Sequence, residues 1–77
     1  MSIRRVREIV AAELDIDAGS ISDNSSSDNT KGWDSIAQIG ICLALQAEFG
    51  KEFSTEEIAE SMSISALCRI IDRGTPS

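Results

Sequence analysis

Gly32-Trp33-Asp34-Ser35-Ile36 marks the point at which a polar loop gives way to the longest apolar helical run in the chain. Asp34 is a good N-cap, because its short carboxylate can accept a hydrogen bond from a free backbone N–H of the first turn. From Ser35 to Phe49 the apolar residues Ile36, Ile39, Ile41, Cys42, Leu43, Leu45 and Phe49 spread over more than one face. That pattern predicts a central helix packed by the others. Gly40 interrupts it at a cost of about 0.5–1 kcal/mol relative to Ala, unless the missing side chain lets another backbone or a ligand approach closely. Gly50 is a natural stop.

Upstream, Asp23 to Gly32 reads Asp-Asn-Ser-Ser-Ser-Asp-Asn-Thr-Lys-Gly, rich in turn formers and without a large apolar side chain to anchor it. A mobile surface loop is expected. It is not an EF-hand: counting from Asp23, Asp28 stands where the sixth position needs Gly, and Asp34 where the twelfth needs a bidentate Glu. Before the loop, Ile3, Val6, Ile9, Val10 and Leu14 fall on one face of a first helix over Ile3 to Leu14. The basic cluster Arg4-Arg5-Val6-Arg7 reads as a solvated helix face. Gly19 is expected to break the helical region, with Ile16 and Ile21 pinning the segment to the core.

Downstream, Ser54 and Glu57 have capping-box spacing, and Ile58 with Met62 supplies an i, i+4 apolar pair, so a short helix follows. Glu56, Glu57 and Glu60 make it acidic. Ser63 can cap a last helix whose inward face carries Ile64, Leu67, Cys68, Ile70 and Ile71, ending at Gly74 with Pro76 beyond. The expected architecture is therefore all-α: three main helices plus a short one, with a long loop between the first and second, in a single domain over 1–77.

Composition narrows the function. The 77 residues are 42% hydrophobic and 4% aromatic, which suits one small packed helical domain. Thirteen acidic residues against seven basic ones leave a net charge of −6, which repels nucleic acid and anionic membranes and attracts proteins with basic patches. The absence of histidine removes the commonest general base and metal ligand. Cys42 and Cys68 lie in apolar periodic segments without CxxC spacing and read as buried thiols. No apolar run reaches transmembrane length and the N-terminus lacks a signal-type apolar region. A cytoplasmic monomer is expected.

Ser35 has no histidine to activate it and does not sit in a Gly-x-Ser-x-Gly elbow, so a catalytic nucleophile is not expected. It does offer an accessible hydroxyl in the first turn of a helix, after a loop that another enzyme can enter. A phosphodiester formed there meets unpaired backbone N–H groups and the positive end of the helix dipole. Taken alone, Asp34-Ser35 reads first as an ordinary N-cap followed by a tolerated serine, and it is the rest of the chain that overturns that reading.

Gly32-Trp33-Asp34-Ser35-Ile36 resembles the attachment motif of acyl carrier proteins, phosphopantetheine-binding domains in which Gly-x-Asp-Ser precedes a large aliphatic residue. Leu43-Ala44-Leu45-Gln46-Ala47-Glu48-Phe49-Gly50 resembles the end of that family's second helix at the expected distance, and helix order, length and acidity fit over nearly the whole chain. The resemblance implies that Ser35 is esterified by 4′-phosphopantetheine, transferred from coenzyme A by a phosphopantetheinyl transferase. The terminal thiol of the arm then holds an acyl group as a thioester and presents it to acyl-loading and acyl-processing enzymes with basic docking surfaces. The chain itself is not an enzyme on this reading.

Fatty-acid carriers typically place several carboxylates along the second helix. Here the exposed candidates are Ala37, Gln38, Gly40, Gln46 and Ala47, with only Glu48 near the end. This favours a dedicated carrier in a specialised fatty-acid, polyketide or related pathway, with recognition by Trp33, Asp34, Ile36, Glu48, Glu56, Glu57 and Glu60. Trp33 has packing in the core as its simpler role. An aminoacyl or peptidyl carrier is the alternative within the family, and an unmodified acidic helical adaptor the alternative outside it.

Overall fold

In the computed structural model, which describes residues 3–73, the chain forms α1 (Ile3–Leu14), a 3₁₀ turn (Ala18–Ser20), α2 (Ser35–Phe49), α3 (Thr55–Glu60) and α4 (Ile64–Arg73). This is the expected all-helical architecture. The inward face of α1 carries Val6, Ile9, Val10 and Ala11, and α1 packs against both α2 and α4. The residues completely removed from solvent, among them Val6, Val10, Ile41, Leu45, Ile64 and Leu67, come from these three helices and form the centre of the core. Among the described residues no helix is long and apolar enough to cross a membrane.

The first helix ends at Leu14 as expected, but the stop is made before Gly19 is reached. Asp15 takes a left-handed conformation at φ 57°, and the N–H groups of Asp15 and Ile16 reach back to the carbonyls of Ala12 and Ala11 at 3.2 and 3.0 Å. These are the two bonds of a Schellman stop, built on an aspartate in place of the usual glycine. Gly19 sits in the 3₁₀ turn instead. Ile21 is pinned to the core as expected, whereas Ile16 stays exposed.

The loop expected to be mobile is stitched together by the residues that make it polar. Ser25 Oγ accepts from Ser22 N at 2.8 Å, Asn29 Oδ1 accepts from Ser26 N at 2.8 Å, and Asn29 Nδ2 donates to Asn24 O at 3.1 Å. Ser27 N donates to Met62 O and Ile64 N to Ser25 O, both at 3.0 Å, making an antiparallel bridge between Ser26 and Ser63. Arg7 reaches Asp23 from α1 at 3.3 Å. Side-chain oxygens that imitate turn carbonyls and backbone pairing take the place of a hydrophobic anchor.

Helix α2 is not wrapped on all sides. Its buried stripe is Gln38, Ile41, Cys42 and Leu45, at spacings of three, one and three. Ile36, Ile39 and Leu43 form a second apolar stripe and remain 81%, 50% and 57% exposed. With so short a chain, α1 and α3 cover one side of α2, and the other faces solvent. The helix begins on Asp34 and ends with Gly50 at φ 64°, whose N–H donates to Gln46 O at 2.9 Å. Gly40 lies against Glu13 of α1, whose Oε1 would stand 2.7 Å from an added Cβ.

The short third helix carries the full capping box: Glu57 N donates to Ser54 Oγ at 3.1 Å and Ser54 N to Glu57 Oε1 at 2.9 Å. Helix α4 starts as expected, with Ser63 Oγ accepting from Ala66 N at 3.1 Å. Its expected stop at Gly74 and Pro76 lies outside the described residues. Cys42 and Cys68 are free and buried.

Candidate functional site

Ser35 is delivered to the surface by a turn whose geometry explains the glycine before it. Trp33 N donates to Thr30 O at 3.3 Å, placing Gly32 third in a four-residue turn at φ 89°. A positive φ there is the requirement of a type II turn, which a side chain would strain. Asp34 is extended, and its Oδ1 accepts from Ala37 N at 2.9 Å while its carbonyl accepts from Gln38 N at 2.9 Å. The helix thus opens at Ser35, whose side chain is exposed. As the first helical residues, Ser35 and Ile36 have N–H groups without intrahelical acceptors.

Trp33 is 3% exposed. Packing is its role here, and it has almost no surface to offer a partner. Its Nε1 donates to Gln38 Oε1 at 2.8 Å. Gln38, expected on the surface, is 1% exposed, because it falls on the same stripe as Ile41, Cys42 and Leu45. Its Nε2, with two hydrogens, donates to the carbonyls of Ile58 at 2.9 Å and Ser61 at 3.0 Å, with Ser61 Oγ 3.0 Å and Cys42 Sγ 3.4 Å away. Sequence reasoning passed over this residue as a polar side chain on a helix, yet its spacing from the core positions was the available signal.

Beside Ser35, between α2 and α3, runs a groove of about 270 Å³ lined by Ser35, Gln38, Ile39, Thr55, Ile58, Ala59 and Met62. Its walls are mostly aliphatic. Ile36, adjacent to Ser35, stands almost fully in solvent on the outer face. Apolar surface therefore borders the hydroxyl at Ile36 and on the α3 side, and the first turn of α2 contains no acidic residue.

The proposed acidic contacts are dispersed. Glu48 is engaged by Arg5, whose Nε and Nη2 donate to its two carboxylate oxygens at 3.0 and 3.2 Å. The hydrogen bonds from Arg5 hold the Glu48 carboxyl below its ordinary range, against a smaller opposing effect of desolvation. Glu57 is half-buried and committed to its capping box. Glu56 and Glu60 are exposed, but with Glu57 they line a separate cleft toward α4, shared with Arg69 and Ile70, whereas the Ser35 groove takes Thr55, Ile58 and Ala59 from the same helix. Asp34, Ser35 and Ile36 lie together; the three glutamates face elsewhere.

The geometry suits a covalently held phosphate: an exposed hydroxyl at a helix start, free N–H groups beside it and an N-cap carboxylate already committed to the backbone. A sequence model of the family described as phosphopantetheine attachment site matches residues 4–71, from the start of α1 into α4.

Proposed function

The chain belongs to the phosphopantetheine attachment-site family, whose prosthetic group is 4′-phosphopantetheine, and from that membership we propose that Ser35 is the attachment residue of an acyl carrier protein. The pathway is a specialised fatty-acid, polyketide or related biosynthesis. The observation that carries the site is the exposed Ser35 hydroxyl at the head of α2, with Asp34 capping the helix beneath it. When bound, the group supplies a thiol on a flexible arm, to which cargo is joined as a thioester.

Carrier domains of this family hold cargo and leave the chemistry to other proteins. In the modification step Ser35 Oγ forms a bond to the pantetheine-bearing phosphorus of coenzyme A, the pyrophosphate bond to the nucleotide half breaks, and the hydroxyl proton passes to a base of the transferase. This chain has no histidine to take it. The residues flanking Ser35 favour docking through Ile36 and the neighbouring aliphatic groove rim, with Glu56 and Glu60 steering basic surfaces from a distance. Free thiols at Cys42 and Cys68 suit a reducing, cytoplasmic setting.

The test is intact mass after co-expression with a broad-specificity phosphopantetheinyl transferase. Wild type gains the mass of one phosphopantetheine and Ser35→Ala gains none. An unmodified wild type defeats the carrier reading, and a modified Ser35→Ala defeats the site.

A further inference from the structure

Gln38 sits one helical turn after Ser35 and uses both ends of its amide, the oxygen accepting from Trp33 and the nitrogen donating to the end of α3. Its orientation is fixed by chemistry: reversing the amide would set N–H against the Trp33 indole N–H, and its oxygen against the carbonyls of Ile58 and Ser61. The oxygen thus holds the residue two places before Ser35, and the nitrogen holds the end of α3.

That end needs holding. Helix α3 has six residues, none of them fully buried, and a helix so short has no stability of its own in water. Its N-terminus has the capping box. Its C-terminus rests on Gln38 Nε2, which takes the Ile58 and Ser61 carbonyls. Since α3 forms the far wall of the groove that opens at Ser35, one buried side chain links the entry segment, the attachment helix and the opposite wall.

We propose that Gln38 is a positioning residue for reactions at Ser35, fixing the turn through Trp33 and the α3 wall relative to the hydroxyl so that an incoming enzyme meets one preformed surface. The inference rests on the carrier reading above. An enzyme reaching Ser35 Oγ must accommodate Ile36, Ile39 and the α3 rim together. If those elements move independently, part of the binding free energy goes into ordering them before any bond changes. The loss falls on binding of the carrier, and the chemical step proceeds as before once the complex has formed.

The test uses the full apo chain, coenzyme A and a broad-specificity phosphopantetheinyl transferase, with steady-state kinetics in carrier concentration. Gln38→Met keeps length and apolar bulk and removes the amide; Trp33→Phe removes the indole N–H. Melting curves establish that each variant is folded at the assay temperature. The expected result is a roughly five- to tenfold rise in KM for the carrier in Gln38→Met with kcat nearly unchanged, and a smaller rise in Trp33→Phe. Emission of Trp33, the sole tryptophan, should change in Gln38→Met.

A purely structural role lowers the melting temperature and leaves KM of the folded variant at the wild-type value, which overturns the proposal. A fall in kcat at constant KM also overturns it. Where Gln38→Met does not fold, Trp33→Phe decides: a raised KM supports the link and an unchanged one refutes it. An unmodified wild type removes the carrier reading and this inference together, whereas a modified wild type beside an indifferent Gln38→Met removes the inference alone.

Discussion

Arg5 grips both carboxylate oxygens of Glu48, Nε on Oε2 at 3.0 Å and Nη2 on Oε1 at 3.2 Å, and so ties the first turn of α1 to the last turn of α2. Arg5 also donates to Glu8 at 3.1 Å. The one acid near the end of α2 is thus used inside the molecule.

Glu48→Gln should therefore lower the melting temperature slightly. The Glu48 carboxyl is held below its ordinary range, chiefly by hydrogen bonds from Arg5, so its contribution is present above the unfolded-state value and lost as pH falls through the folded one. Melting curves of wild type and variant should converge at acid pH. They should also converge in about 1 M salt, where the screening length is about 3 Å.

Two glycines should respond to alanine with opposite signs. At Gly50, φ 64° is strained for any side chain, and Gly50→Ala should cost about 1–2 kcal/mol in denaturant unfolding. At Gly40 the obstacle to a Cβ is only the far end of the exposed, flexible Glu13 side chain, which can swing aside. There the gain in helix propensity dominates, and Gly40→Ala should stabilise by up to about 1 kcal/mol.

The two cysteines should resist alkylation in the native state. Burial, the largest influence, pushes both thiols above their ordinary range, and Ser61 offsets only part of the rise at Cys42. Because the thiolate is the reactive form, iodoacetamide near pH 8 should label neither residue in folded protein and both in denaturant. Rapid native labelling of Cys42 would contradict the buried position.

Ile36 separates stability from recognition. At 81% exposure it adds little to the core, so Ile36→Ser should change unfolding free energy by no more than about 0.5 kcal/mol. It should nevertheless slow modification by a phosphopantetheinyl transferase, because the aliphatic side chain lies next to the reacting hydroxyl. An equal modification rate would place the docking surface elsewhere.

The helices were legible wherever one signal dominated. Apolar spacing predicted Ile3 to Leu14, the Ser54 and Glu57 pair announced the third helix, and Asp34 and Gly50 bracketed the second. Periodicity was ambiguous in α2, where aliphatic residues occupy both the buried stripe and the exposed one, and nothing in residue type separates Ile39 from Ile41. Gln38 was misplaced because an amide reads as polar until its partners are known, and those partners are an indole and two carbonyls distant in sequence. The loop's ties were readable only in part: its serines and asparagines announced turns, whereas the backbone pairs with Met62 and Ile64 carry no sequence signature. At the candidate site, the motif and helix start were readable. The dispersal of the glutamates was not, since a six-residue helix shows them along one stretch and turns them toward a different cleft from Ser35.

The bridge between Ser26 and Ser63 has a mechanical consequence. It clamps together both ends of the segment containing α2 and α3, leaving that segment as a closed ring between α1 and α4. Tension along the chain between α1 and α4 is shared by the paired backbone bonds at the ring's neck and by the packing of α1 on α2 and α4, so the turn and helix start that carry Ser35 do not take it alone.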